Sequence, residues 1–210
     1  MKHILCVLMM SMCGVSAVAH AATTPVAGRD YEVLKTRHFS TEQAGKVNVT
    51  EFFWYGCPHC AQFESVLEGW AKQQAGKIVL RRVPVAMNSE LTPHSRMYYA
   101  LASLGKAEPL MSTIFKAVGE GNLLLTPQAQ GDFLSKFGVD KNDYLQAYNS
   151  MQVQKDVSRA ARLIRDERIN GVPTVVVGGQ YETGPGYTNS LQGTVPVLNV
   201  LVDKVARGSK

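Results

Sequence analysis

Hydrophobic positions in this chain fall into two rhythms, and the change between them marks out the fold. From Lys46 to Tyr55 the sequence KVNVTEFFWY is rich in β-branched and aromatic residues and stops at Gly56, which predicts a buried strand. After Cys57 the apolar residues Phe63, Val66, Leu67 and Trp70 recur at helical spacing. Ile78 to Val85, IVLRRVPV, reads as a second strand. A strand, a helix and a strand in that order imply a parallel pair with a right-handed crossover.

Between Thr92 and Ile169 the rhythm is helical throughout. Thr92-Pro93 and Thr126-Pro127 are N-cap and first-turn signals, while Gly105 and Gly138 are C-terminal stops. The pattern predicts helices near residues 93–104, 108–119, 127–137, 141–149 and 152–168. The last carries Val153, Val157, Ala160, Ala161 and Ile164 on one stripe, with Lys and Arg opposite. β character returns at Thr174 to Val177, and Gly178-Gly179 before Gln180 to Thr183 suggests a hairpin. An amphipathic helix is expected after Pro196, through Val200, Leu201 and Val205. No repeat or low-complexity tract interrupts this order.

The first residues change the cysteine count. Lys2, an apolar stretch from Ile4 to Val18 and then Ala19-His20-Ala21 have the order of a cleavable secretory signal, so 1–21 reads as a signal peptide and Ala22 as the mature start. The apolar stretch is shorter than the roughly 18 to 20 residues that span a bilayer. Cleavage would remove Cys6 and Cys13, leaving Cys57 and Cys60 of the four cysteines. The formal charge of +5 would fall by one with Lys2. Basic residues are scattered among acidic ones, without the clustered stripe of a nucleic-acid footprint.

FWYGCPHC, from Phe53 to Cys60, therefore carries the chemistry, and a Cys-x-x-Cys pair has three readings. Structural zinc needs four ligands, and the mature chain offers no further cysteine, with His38 and His94 standing alone. A bridge closing so short a loop restricts the unfolded chain least, which makes a passive staple a poor reason for the pair. Redox exchange needs a thiolate, and Cys57 at a helix start would sit where unpaired N–H groups and the dipole favour an anion. Pro58 suits the first turn because its missing N–H would be unpaired there anyway. His59 adds a donor or a positive charge beside Cys57, and Cys60, one turn further in, would be the resolving thiol. Stabilising the reduced pair makes its disulfide the stronger oxidant.

The signal sequence, Glu51-Phe52-Phe53, Cys57-Pro58-His59-Cys60 followed by Gln62-Phe63-Glu64, the helical stretch and Gly171-Val172-Pro173-Thr174 together resemble the DsbA family of periplasmic thiol:disulfide oxidoreductases. The resemblance spans nearly all of the mature chain. It implies an α/β thioredoxin fold with an inserted α-helical domain: 22–92 plus 170–210 thioredoxin-like, 93–169 inserted. It also implies that Val172-Pro173 is a cis-proline turn facing the cysteines, where the Val172 backbone would pair with an extended substrate. Glu51, costly in an apolar strand if merely structural, would take part in proton transfer near Cys60. Glu64 and Arg81 would form a charge pair close by, their plain alternative being solvated surface charges. The aromatic run packs the core, while its end, Met87 and the 184–187 loop would form an apolar surface beside the cysteines. Trp54-Tyr55-Gly56 departs from the best-known members, which leaves the partner's peptide open.

The expected activity is donation of the Cys57–Cys60 disulfide to reduced, exported proteins with free cysteines, by a monomer in the periplasm of a Gram-negative bacterium. Reoxidation would fall to a quinone-linked membrane oxidase of the DsbB type. No cofactor, metal or nucleic acid is expected. The rivals are a reductase or isomerase kept reduced and, from another class, a metal-holding or chaperone-like binding protein.

Overall fold

The computed structural model describes residues 24–35 and 45–208; the signal sequence and His38 lie outside them. Its centre is a mixed five-stranded sheet in the order β1-β5-β4-β2-β3. The strand β2 (Val47–Phe53) is buried along its whole length and pairs in parallel with β3 (Ile78–Pro84). The helix α1 (Pro58–Gln73) makes the crossover between them. On the other side of β2 runs β4 (Thr174–Val177), antiparallel to it. β4 turns into β5 (Tyr181–Thr183) through Gly178 and Gly179, both at positive φ as a tight hairpin turn requires. A short strand β1 (Glu32–Val33), which the hydrophobic pattern does not reveal, borders β5.

Alternation along the strands gives the sheet two apolar faces. Val49, Val175 and Val177 meet Phe63, Leu67 and Trp70 of α1, together with the C-terminal helix α8 (Thr194–Gly208). Phe52, Val83 and Val176 point the other way. Covering them is α6 (Met151–Asp166), whose Ser150 cap accepts from the Val153 amide and whose Ala160 is buried against the sheet.

In chain order α6 is the last of a helical series between β3 and β4. It follows α2 (Thr92–Ser103), α3 (Ala107–Gly119), α4 (Pro127–Ser135) and α5 (Lys141–Tyr148). Their ends lie within two residues of those read from periodicity, and Gly105 and Gly138 both adopt positive φ behind a helix. Thr126 caps α4 through its hydroxyl. Thr92, by contrast, is not a cap: a one-turn 3-10 helix, Ser89–Leu91, precedes it, and the Asn88 side chain accepts from the Leu91 amide. Gln130 knits the series together, donating to the carbonyls of Pro93 and Leu124 and accepting from the Tyr144 hydroxyl, so a buried amide is satisfied at both ends.

The helical core, built on Met97, Leu101, Met111, Ile114 and Leu134, is continuous with Phe53, Tyr55, Cys57 and Cys60. The cysteine pair thus lies at the seam between sheet and helices. Among the described residues no helix is long and apolar enough to cross a membrane.

Candidate active site

β2 delivers the chain to the site, and a tight turn carries it into α1. The Cys57 amide donates to the Trp54 carbonyl at 3.0 Å, closing that turn. Cys57 is the N-cap of α1, with its sulfur accepting from the Cys60 amide at 3.3 Å, and Pro58 occupies the first turn. The sulfur therefore does what a Ser or Asp oxygen does at an ordinary helix start.

Both cysteines are free thiols, but they differ in access. Cys57 keeps 8% of its surface exposed and Cys60 none, while Pro58 and His59 between them are exposed. The Cys57 thiol is lowered from 9.0 to about 6, first by the hydrogen bond from the Cys60 side chain, against the penalty of burial, and then by the backbone amides of Cys60 and His59 and the His59 charge. Cys60 moves the other way, pushed far up by its hydrogen bond to Cys57 and by burial. A proton shared by the pair is thus held on Cys60, with negative charge left on Cys57.

Facing the pair is the Val172-Pro173 bond, which is cis. The Cys57 thiol points at the Val172 carbonyl oxygen, 3.6 Å away. Beside it opens a cavity of about 400 Å³ whose lining includes His59, Val172, Pro173, Glu182 and Tyr187. Pro185 and Gly186, also in that wall, belong to a one-turn helix α7 (Pro185–Thr188), while Met87 does not reach it. On the far side of Cys57 a second cavity of about 410 Å³ runs between Pro58 and Phe115 of α3.

Under the site lies a charge cluster centred on Arg82. Its Nε donates to Glu51 Oε2 at 3.0 Å and its Nη2 to Glu64 Oε1 at 2.8 Å, and Nη1 pairs with Glu108 of α3. Glu51 is fully buried and its carboxyl is pushed up to about 7 by burial, with Arg82 pulling down and Glu64 adding repulsion. Glu64 is raised as well, again first by burial. The outer oxygens Glu51 Oε1 and Glu64 Oε2 have no hydrogen-bond partner among the described residues. The Glu51 charge contributes to holding the Cys60 proton in place.

Arg81, expected to pair with Glu64, is exposed and stands outside this cluster. The register explains the difference: Arg82 lies opposite Glu51 on the paired strands, and Arg81 opposite Thr50, so their side chains leave on opposite faces. Glu108 was not legible as a site residue, since only tertiary packing brings α3 to β3.

No group of three or more His, Cys, Asp or Glu side chains among the described residues is arranged to hold a metal ion. A mixed sheet, a Cys-x-x-Cys pair heading the helix after its central strand and a cis-proline opposite define a thioredoxin-fold thiol oxidoreductase. Residues 48–192 match the profile of the DSBA-like thioredoxin domain. The chain is 48% identical over 207 residues to the thiol:disulfide interchange protein DsbA of Burkholderia cepacia, covering 98% of each. Against the same-named protein of Pseudomonas aeruginosa it is 30% identical over 211 residues, covering all of both. The crystal structure of Pseudomonas aeruginosa DsbA superposes with a TM-score of 0.82 at 31% identity, over 89% of this chain and 97% of that one. The oxidoreductase NmDsbA1 of Neisseria meningitidis gives 0.77 at 31%, over 88% and 95%. The chain belongs to the DsbA family of thioredoxin-fold thiol:disulfide oxidoreductases.

Proposed function

We propose that Cys57 and Cys60 are the exchanging pair and that the protein donates their disulfide to reduced substrate proteins. A substrate thiolate attacks the Cys57 sulfur, the S–S bond breaks and Cys60 leaves as a thiolate that takes up a proton. A second substrate thiolate then attacks the substrate sulfur of the mixed disulfide, and Cys57 leaves. Two electrons pass from the substrate thiols to the pair, which ends as the dithiol. Cys57 is suited to leave because its thiolate is stabilised, and a good leaving thiolate exchanges faster.

The observation that carries this reading is the sulfur of Cys57 in the N-cap position of α1, taking the Cys60 amide. Pro58 and His59 shape that helix start, and Glu51 holds or releases the proton that Cys60 exchanges. The Val172 backbone beside Pro173 binds an extended substrate segment, with neighbouring side chains seated in the cavity toward Tyr187. Glu64 with Arg82, in place of Arg81, supports the floor. Residues 93–169 act as an inserted helical domain.

The reading extends to the periplasm of a Gram-negative bacterium as the working compartment, after loss of 1–21. There the monomer serves unfolded exported proteins, and a quinone-linked membrane oxidase of the DsbB type restores the disulfide. The test is oxidation of a reduced, two-cysteine substrate by the oxidised protein. Cys57→Ala should abolish turnover, and Cys60→Ala should hold a long-lived adduct with a glutathionylated peptide at Cys57. Wild-type turnover by Cys57→Ala overturns the proposal.

A further inference from the structure

His94 and Trp54 are forty positions apart in sequence, yet the indole Nε1 donates to His94 Nδ1 at 3.0 Å. His94 is 2% exposed, and its other nitrogen, Nε2, lies 2.7 Å from the Leu123 carbonyl. A ring that accepts at Nδ1 must carry its proton at Nε2, so His94 is a neutral bridge donating to Leu123. Burial lowers its basicity, which agrees with the neutral form. His94 belongs to α2 and Leu123 to the connection after α3, so the ring that holds the indole is itself anchored to a second part of the helical layer.

That indole belongs to the active-site turn. The Trp54 carbonyl takes the Cys57 amide at 3.0 Å, and the Trp54 backbone amide favours the thiolate of Cys60. The side chain folds back over Gly56 so closely that a Cβ there would stand 2.3 Å from its Cζ2. Moving the indole therefore moves a turn that touches both cysteines.

We propose that His94 is a positioning residue for disulfide exchange: by holding the Trp54 indole it fixes the Trp54 backbone, carbonyl and amide, against Cys57 and Cys60. The inference rests on Cys57–Cys60 being the exchanging pair. Its effect falls on the first step, in which the S–S bond opens and Cys60 departs as a thiolate next to the Trp54 amide. A loosened turn leaves that charge less well met.

The experiment uses the full mature chain with its pair oxidised, opened by reduced glutathione and quenched with acid, giving the rate of disulfide opening. His94→Gln keeps a donor where Nε2 was and loses the acceptor for Trp54; His94→Asn keeps an acceptor where Nδ1 was and loses reach to Leu123. His94→Gln should slow opening about three- to tenfold, the scale of one net hydrogen bond. His94→Asn should stay within about twofold of wild type on the same scale. Trp54→Phe, which retains a ring over Gly56 but no N–H, should match His94→Gln, and the double variant should be no slower than either. A folded His94→Gln opening at the wild-type rate overturns the inference, as does equal slowing of both His94 variants in step with lost thermal stability. Should His94→Gln not fold, Trp54→Phe decides alone, and a wild-type rate there overturns it. Exchange that persists in Cys57→Ala would instead overturn the assignment of the pair, so the two failures are distinct.

Discussion

Arg82 Nε donates to Glu51 Oε2 across 3.0 Å in a place where the guanidinium side chain is 3% exposed and the carboxylate wholly buried. Both charges depend on each other for solvation, and Glu64 draws on the same guanidinium. Removing one partner of a buried ion pair strands the other, which typically costs about 3–5 kcal/mol. Arg82→Met should therefore destabilise the protein on that scale, while Arg81→Met, at the exposed neighbouring residue, should change stability by about 0.5 kcal/mol or less. Denaturant unfolding of the two variants checks the contrast, and equal effects would refute the placement of the cluster.

Glu51 should imprint a pH dependence on stability. Its folded carboxyl is raised from 4.5 to about 7, so between those values the folded state binds more protons than the unfolded chain. Stability from this group is complete below the lower value and falls as pH rises through the upper one. Glu51→Gln should flatten the slope of unfolding free energy between pH 4.5 and 7, with the raised Glu64 leaving part of it. An unchanged slope would rule out Glu51 as its source.

Cys57 acts in the opposite sense, and only in the reduced protein. Its thiol falls from 9.0 to about 6, so across that window the unfolded dithiol chain carries more protons than the folded one. Stability of the reduced form should rise from pH 6 to 9, being fully present above the upper value and lost as pH falls through the lower. Parallel unfolding of the oxidised protein and of Cys57→Ser should lack this rise. Absorbance of the thiolate in the reduced protein should titrate near pH 6 and vanish in Cys57→Ser.

Much of this arrangement is written locally. The β-branched run of β2, the Gly56 stop and Pro58 in the first turn specify strand, turn and helix within some fifteen residues, and the cysteines inherit their place from that order. The choice between Arg81 and Arg82 is not written so. Two adjacent residues of the same type give periodicity nothing to work on, and only the register with β2 decides which faces Glu51. The Thr92 cap failed for a related reason, because Thr-Pro signals a helix entry without revealing that Asn88 has already begun a turn upstream. Contacts such as Trp54–His94 and Arg82–Glu108 join segments that no local pattern connects.

Gly56 should tolerate no side chain while Trp54 lies over it. The added Cβ of Gly56→Ala would overlap the indole, and forced overpacking of this kind costs about 1–3 kcal/mol. In a Trp54→Ala background most of that cost should disappear, giving a coupling energy in a double-mutant cycle. Additive effects would show that the clash is relieved elsewhere.

The unequal access of the two sulfurs has a consequence for regiochemistry. Displacement at sulfur proceeds with the incoming thiolate in line with the bond that breaks, so the nucleophile must reach the far side of the atom it attacks. Cys60 is closed off on every side, whereas Cys57 presents a face to solvent. With Cys57–Cys60 as the exchanging pair proposed above, each partner, whatever its sequence, would be joined to the same atom and oriented by the same neighbouring backbone, and the isomeric adduct that leaves the outer thiol idle would have no route of formation.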